Sequence, residues 1–281
     1  VRNFSMQNSA AMNKIVWLIC LFSACAAPKG ENQSESPEVP ELESAEVINV
    51  SRDARTIGPE KSPEQKRIDE AIEKIKSTTN NDLIGYWVGM FGKNKINIAL
   101  AEISDQQAIG YTVCAGNFRP ITGKVTKRTD STIELYLDEP GTDSYDGHFE
   151  MTIQMYEKTL TGKWTPFQPT TSAKTFQLAK TEYTYRTDTG TYPEASARLL
   201  NEDDVANLLE EELAMMRNEI YARHGYSFKE MEERRHFDAQ SWYIPMGIDI
   251  RSNLTDIEVR NIDLIYQYED YYQANYDDYG R

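Results

Sequence analysis

Residues 85–103 read Gly-Tyr-Trp-Val-Gly-Met-Phe-Gly-Lys-Asn-Lys-Ile-Asn-Ile-Ala-Leu-Ala-Glu-Ile, and their hydrophobic pattern has a period of two. Ile96, Ile98 and Leu100 alternate with Asn97, Ala99 and Ala101, so an extended chain here carries its large aliphatics on one face. Further along, Ile133, Leu135 and Leu137 alternate with Glu134 and Tyr136 in the same way. Between Leu83 and Tyr185 this reading gives eight short strands: Gly85 to Phe91, Lys95 to Ile103, Ala108 to Ala115, Pro120 to Lys127, Ser131 to Asp138, His148 to Tyr156, Thr159 to Pro166 and Lys174 to Lys180. The gaps between them are short and rich in turn residues.

Consecutive strands with local connections pair antiparallel, and closing eight of them into an up-and-down barrel over 83–185 removes the exposed sheet edges. One face is expected to be dry. A barrel of this size is either filled by its own side chains or holds one small ligand, and the many inward aliphatics favour filling. Gly85-Tyr86-Trp87 resembles the Gly-x-Trp opening of lipocalin-like (calycin) barrels, and the resemblance implies Trp87 as the residue closing the barrel floor. Cys114 lies in the apolar run 111–115 and reads as a small buried hydrophobe. The stretch 139–148 is dense in carboxylates and turn residues, without the regular ligand spacing of a calcium loop. No Cys/His cluster has zinc-ligand spacing, so no metal and no cofactor is expected.

After Pro193 the period becomes helical, over a region taken as 194–275. Val205, Leu208, Leu209, Leu213, Met216 and Ile220 recur at three- and four-residue spacing, which predicts one helix from Asn201 to His224. Asn201 caps it, Glu202, Asp203 and Asp204 favour its positive end, and Gly225 supplies the residue able to take positive φ at its stop. Glu219 and Arg223 stand one turn apart, the spacing of a surface ion pair. A second helix is expected from Phe228 to Gln240, and a third opens at Thr255, whose side chain forms a capping box with Glu258. Three short helices with aromatics between them make a small bundle.

The run Arg217-Asn218-Glu219-Ile220-Tyr221-Ala222-Arg223-His224-Gly225, followed by Tyr226, Phe228, Phe237, Trp242-Tyr243, Pro245, Leu254, Glu258 and Asn261-Ile262, resembles the YARHG domain. The naming pentapeptide, Tyr221 to Gly225, is intact, and the likeness covers about the last third of the chain. The resemblance implies an extracellular module of bacterial envelope proteins; the family has no settled activity.

Two readings of the motif follow. In the first, Asn218, Arg223 and His224 bond the backbone of neighbouring turns and hold the bundle together, with Trp242 and Tyr243 as a candidate surface for an envelope glycan or peptide. In the second, the chain is a hydrolase with His224 as general base, Glu219 or Asp238 as its orienter and Arg223 as an anion stabiliser. The scaffold reading is preferred, because no serine or cysteine stands in a nucleophile-type turn. A third reading makes the barrel a carrier of a small apolar ligand.

The N-terminal quarter sets the expected address. Met12-Asn13-Lys14, the apolar run Ile15 to Phe22 and Ser23-Ala24-Cys25 have the order of a bacterial lipoprotein signal over 1–25, with Met12 as the expected start and Cys25 as the lipidated residue. That apolar run is too short to span a bilayer. Residues 26–61 are rich in Glu, Ser and Pro and read as a disordered acidic tether. A helix is predicted over 62–77, with Ser62, Pro63 and Gln65 at its start, and a frayed tail over 276–281. A net charge of −15 argues against nucleic acid and against charge-driven docking on anionic lipid. The expectation is thus a lipid-anchored protein of the bacterial cell envelope, at the outer membrane and facing either the periplasm or the cell surface. Replacing Cys25→Ala should move the chain from the membrane fraction to the soluble one; unchanged membrane retention on fractionation would rule the anchor out.

Overall fold

The computed structural model describes residues 83–141, 145–169 and 171–275, together with Lys66 and Glu73, which are helical and exposed. The expected signal, the lipidation site Cys25, the tether, the rest of the 62–77 helix and the 276–281 tail lie outside the described residues.

Eight strands run in order: β1 (Gly85–Phe91), β2 (Asn94–Ile103), β3 (Gln107–Cys114), β4 (Asn117–Arg128), β5 (Thr132–Asp138), β6 (Gly147–Gln154), β7 (Thr159–Pro166) and β8 (Lys174–Thr181). Each pairs antiparallel with the next, and β1 also pairs β8, so the sheet closes into an up-and-down barrel. Closure leaves no strand edge for another chain to extend. The strand starts agree with the alternation in sequence to within one residue except at β4, which begins three residues before the expected Pro120. The reason is the tight turn before it. Ala115 and Gly116 take φ of 52° and 72°, and Cys114 pairs directly with Asn117, which is the two-residue hairpin geometry.

The interior is packed along most of its length. Trp87, Ile98, Leu100, Ile121, Ile133, Leu137, Ile153 and Leu160 are all fully buried. Trp87 lies towards the end where β1 starts, and its indole N–H donates to the Leu83 carbonyl at 3.2 Å. At the opposite end Phe91 is ringed by aromatics, meeting Trp164 edge-on at 5.9 Å and Phe176 at 6.0 Å.

On β1 to β3, one dry face becomes two. Asn97, Ala99, Ala101, Tyr111 and Val113, all on the outside of the barrel, are buried as well. The covering comes from the C-terminal region. Asn97 donates to the Pro245 carbonyl at 3.0 Å, and the Lys95 ammonium donates to the carbonyls of Gln240 and Tyr243 at 2.6 and 3.0 Å. The small side chains Ala99 and Ala101 are what allow this close approach.

That region comprises α1 (Glu194–Ala197), α2 (Glu202–Val205), α3 (Glu210–Arg223), α4 (Met231–Asp238) and α5 (Asp256–Asn275). The single helix expected from Asn201 to His224 is two. Its Asn201 cap forms as expected, but the chain turns at 206–209 and restarts, with the Glu212 carboxylate accepting the Leu209 N–H at 2.8 Å. Glu210, Glu211 and Glu212 repeat at the second start the acidic first turn of 202–204, and Leu209 points to solvent. The helix after the motif is shorter than Phe228 to Gln240. Phe228 is held outside it, stacked on Phe237 at 4.5 Å in the core. The box at α5 is as expected, with Thr255 N–H donating to Glu258 at 2.9 Å and Glu258 N–H to Thr255 Oγ1 at 3.2 Å. Leu213, Met216, Ile220, Phe237, Ile262 and Ile265 form the centre of the module.

Candidate functional site

The motif is first a helix stop. His224 caps α3 and Gly225 takes φ of 74°; Gly225 N–H then donates to Ala222 at 2.9 Å and Tyr226 N–H to Tyr221 at 3.0 Å. These two bonds are the Schellman pattern, and the Tyr221 and Tyr226 rings make the apolar contact that accompanies it. A side chain at Gly225 would collide with Met246 and come within 2.8 Å of the Ile244 carbonyl. Glycine is therefore required twice over, by conformation and by space.

One turn back, Arg223 and Glu219 face the interior. They form the expected ion pair at 3.1 Å, but not on the surface: both side chains are essentially inaccessible. The guanidinium donates to the Thr189 carbonyl at 2.7 and 3.0 Å, to the Tyr192 carbonyl at 2.8 Å and to Ser196 Oγ at 3.0 Å. The Glu219 carboxylate accepts the N–H groups of Thr191 and Tyr192 at 2.7 and 2.8 Å. Segment 189–192 is thus wrapped round the pair, and Gly190, at φ 89°, leaves no room for a side chain against that carboxylate. Burial pulls Arg223 below its ordinary pKa, with Glu219 opposing the shift.

His224 has a different partner from either orienter the sequence suggested. Its Nε2 lies 2.7 Å from Glu258 Oε2, while Asp238 accepts the backbone N–H of Lys95 at 2.9 Å. Glu258 also accepts from Ser196 Oγ at 2.7 Å and Tyr185 OH at 2.9 Å, and the Tyr185 ring stacks on the imidazole at 4.5 Å. Burial pushes Glu258 up, but the bonds from His224, Thr255 and Ser196 outweigh it and leave the carboxyl below its usual range. Burial and the charge of Glu258 raise the Tyr185 phenol to about 12. Tyr183 OH donates to the Arg223 carbonyl at 2.8 Å. No spacing in the sequence points to Ser196, Tyr183 or Tyr185 as partners here, and Glu258 stands out in sequence only through its capping box and its place in the YARHG resemblance.

The other motif residues are equally committed. Arg217 forks onto Glu269, donates to Asn218 Oδ1 at 3.0 Å and lies over the Tyr266 ring. Trp242 is half-buried against Phe237, but Tyr243 is only 2% exposed and donates its OH to the Tyr226 carbonyl. Tyr243 belongs to the core, so the pair does not form an exposed aromatic surface.

Residues 189–270 match the YARHG domain. The matched span opens at Thr189, whose carbonyl Arg223 holds, so the YARHG domain includes the segment wrapped round its own motif. No curated protein and no solved structure matched the chain.

A second candidate lies at the barrel end opposite Trp87, where filling stops. A cavity of about 480 Å³ opens there. Its wall is Phe91, Ile96, Phe149 and Trp164, and its rim carries Arg119, Lys174, Lys229 and Arg234. Lys229 and Arg234 come from the YARHG domain, which overhangs the barrel. Glu139 also lines it, accepting the Gly147 N–H and the Trp164 indole N–H at 2.9 Å each. Burial pushes Glu139 up to about 7 against those bonds and the nearby Arg119, with Asp146 adding to the rise. Burial likewise raises the Cys114 thiol to about 12, which makes it an inert wall residue.

Arg223→Ala should cost about 3–5 kcal/mol in urea unfolding, because Glu219 stays buried without its cation; a loss below about 1 kcal/mol would show that the network does not hold the fold. Glu258 and Glu139, two of the shifted carboxyls, act on stability with opposite sign. Glu258 is depressed, so its contribution is present above the ordinary carboxylate pKa of 4.5 and is lost as pH falls below it. Glu139 is raised, so its contribution is full below 4.5 and is lost as pH rises towards about 7. Glu139→Gln should flatten the decline in stability between those two values while leaving the acid limb in place, as measured by thermal unfolding across pH.

Proposed function

We propose that the chain is a non-enzymatic binding protein of the bacterial cell envelope, tethered to a membrane through Cys25. The YARHG domain is its scaffold, and the cavity at the barrel end is its binding site. The observation that carries the choice of scaffold over catalysis is the enclosure of the motif. A general base must reach the proton it removes, within hydrogen-bond distance or through one water. His224 is 4% exposed, its Nε2 is engaged by Glu258 and its ring face is covered by Tyr185. Arg223, the anion stabiliser of the hydrolase reading, spends its donors on two backbone carbonyls, Ser196 and Glu219.

Burial of Tyr243 also weakens an envelope-glycan or peptide surface at Trp242, and moves the binding reading to the barrel. There the volume falls within the roughly 300–1,000 Å³ of small-molecule sites, with an aromatic wall and a few convergent polar groups. Titration with the neutral fluorophore N-phenyl-1-naphthylamine should give a saturable emission increase, and Cys114→Phe, which fills the cavity, should abolish it. Overpacking there costs about 1–3 kcal/mol, so circular dichroism should accompany the titration, with Asn94→Trp at the cavity lining as a second filling variant. An increase that survives both fillings, or none in the wild type, would dismiss the cavity as a binding site.

A further inference from the structure

The chain has 45 acidic against 30 basic residues, so an average patch of its surface is negative. The cavity is the reverse: its lining holds four cations and one carboxylate, Glu139. Their origin is informative. Arg119 and Lys174 belong to β4 and β8, whereas Lys229 precedes α4 and Arg234 lies within it. Docking of the YARHG domain on the barrel adds the second half of this charge, and that docking is fixed next to the rim. Gly116 N–H donates to Ser227 Oγ at 3.0 Å, and a side chain at Gly116 would meet Lys229 Cα at 2.7 Å, so the two backbones are in direct contact. Arg234 is held by a 2.9 Å bond from its guanidinium to the Lys229 carbonyl.

The position of Lys174 relates the charge to the apolar wall. Its ammonium sits over the rings of Phe91 at 4.6 Å and Trp164 at 5.6 Å, at the junction of rim and wall. A molecule entering the cavity therefore meets cations with one end and aromatic carbon with the other. Arg119 is balanced by Asp146 at 3.2 Å, and the three remaining cations, Lys174, Lys229 and Arg234, outnumber the acids near them, Glu139 in the lining and Asp238 within electrostatic range of Arg234. A bare phosphate would leave the aromatic layer wet, and a cationic ligand would face like charges at short range.

We infer that this cavity takes a small amphipathic anion, with an acidic head at Lys174, Lys229 and Arg234 and an apolar body against Phe91, Phe149 and Trp164. The inference rests on the cavity being the binding site and adds the charge and shape of its ligand. Calorimetry on the full chain with octanoate, octanol, octyltrimethylammonium and inorganic phosphate tests it. Octanoate should bind at least about tenfold more tightly than octanol or phosphate, as charge-assisted contacts to the head allow, and the ammonium most weakly. The double variant Lys229→Glu, Arg234→Glu should weaken octanoate by about tenfold or more and leave octanol within about threefold, since only the head is affected. Should that variant fail to fold, Lys174→Gln probes the same rim from the barrel side.

Octanol binding as tightly as octanoate, or octanoate indifferent to the rim variants, overturns the anion and leaves the cavity as a binding site. Phosphate binding as tightly as octanoate overturns the apolar body. Failure of octanoate and octanol alike overturns the cavity reading and this inference together.

Discussion

Arg223 and Glu219 bring full charges into an interior where neither is tolerated without a complete set of partners. Desolvating an ion costs several kcal/mol even after relaxation, and the cost is offset only when geometry and hydrogen bonding are complete. Here completion comes from the main chain. Thr189 and Tyr192 supply carbonyls to the guanidinium, and Thr191 and Tyr192 supply N–H groups to the carboxylate. A segment without regular structure is thereby given one path, because any other would leave a buried charge partly unmet.

The same constraint reaches the barrel. β8 ends at Thr181, and the chain leaving it offers Tyr183 to the Arg223 carbonyl and Tyr185 to Glu258. The exit of the last strand is therefore pinned to the end of α3. On the other side, Lys95 and Asn97 hold the 238–245 segment on the outer face of β2. With the YARHG domain fixed at both places, Lys229 and Arg234 have a defined position over the barrel end. The polar network of the motif and the composition of the cavity rim are in this sense one structural problem, although the motif itself does not line the cavity.

What could be read from sequence divides along interaction range. Strand alternation is local, so Ile96-Asn97-Ile98 and Ile133-Glu134-Leu135 announce their strands, and the closed barrel follows because open edges are disfavoured. The Gly225 stop and the Thr255/Glu258 box are local too. The break at 206–209 was legible in the second acidic triplet, Glu210 to Glu212, but apolar periodicity runs through it at Leu208 and Leu209 and hides it. The pairing of His224 with Glu258 spans 34 residues, and the rim pairs β4 and β8 with residues more than 50 positions away. No period or spacing encodes such meetings; they exist only after two elements dock. Exposure misleads for the same reason. Glu219 and Arg223 have the spacing of a surface pair, and only the wrap of 189–192 puts them inside.

A buried ionic network is weak evidence for stability, since well-packed apolar residues often serve as well. In this module they would not serve equally. Replacing Arg223 and Glu219 by a pair of hydrophobes would fill the volume but leave the carbonyls of Thr189 and Tyr192 and the N–H groups of Thr191 and Tyr192 without partners, at about 1–3 kcal/mol for each group that stays buried. The segment would then do best by lifting into solvent, and Tyr183 and Tyr185 would lose the framework that holds the barrel exit. Gly190 fits the same logic, because the carboxylate occupies the space a side chain would need. The charges are kept for the path they impose on the backbone, and that path joins the two halves of the folded chain.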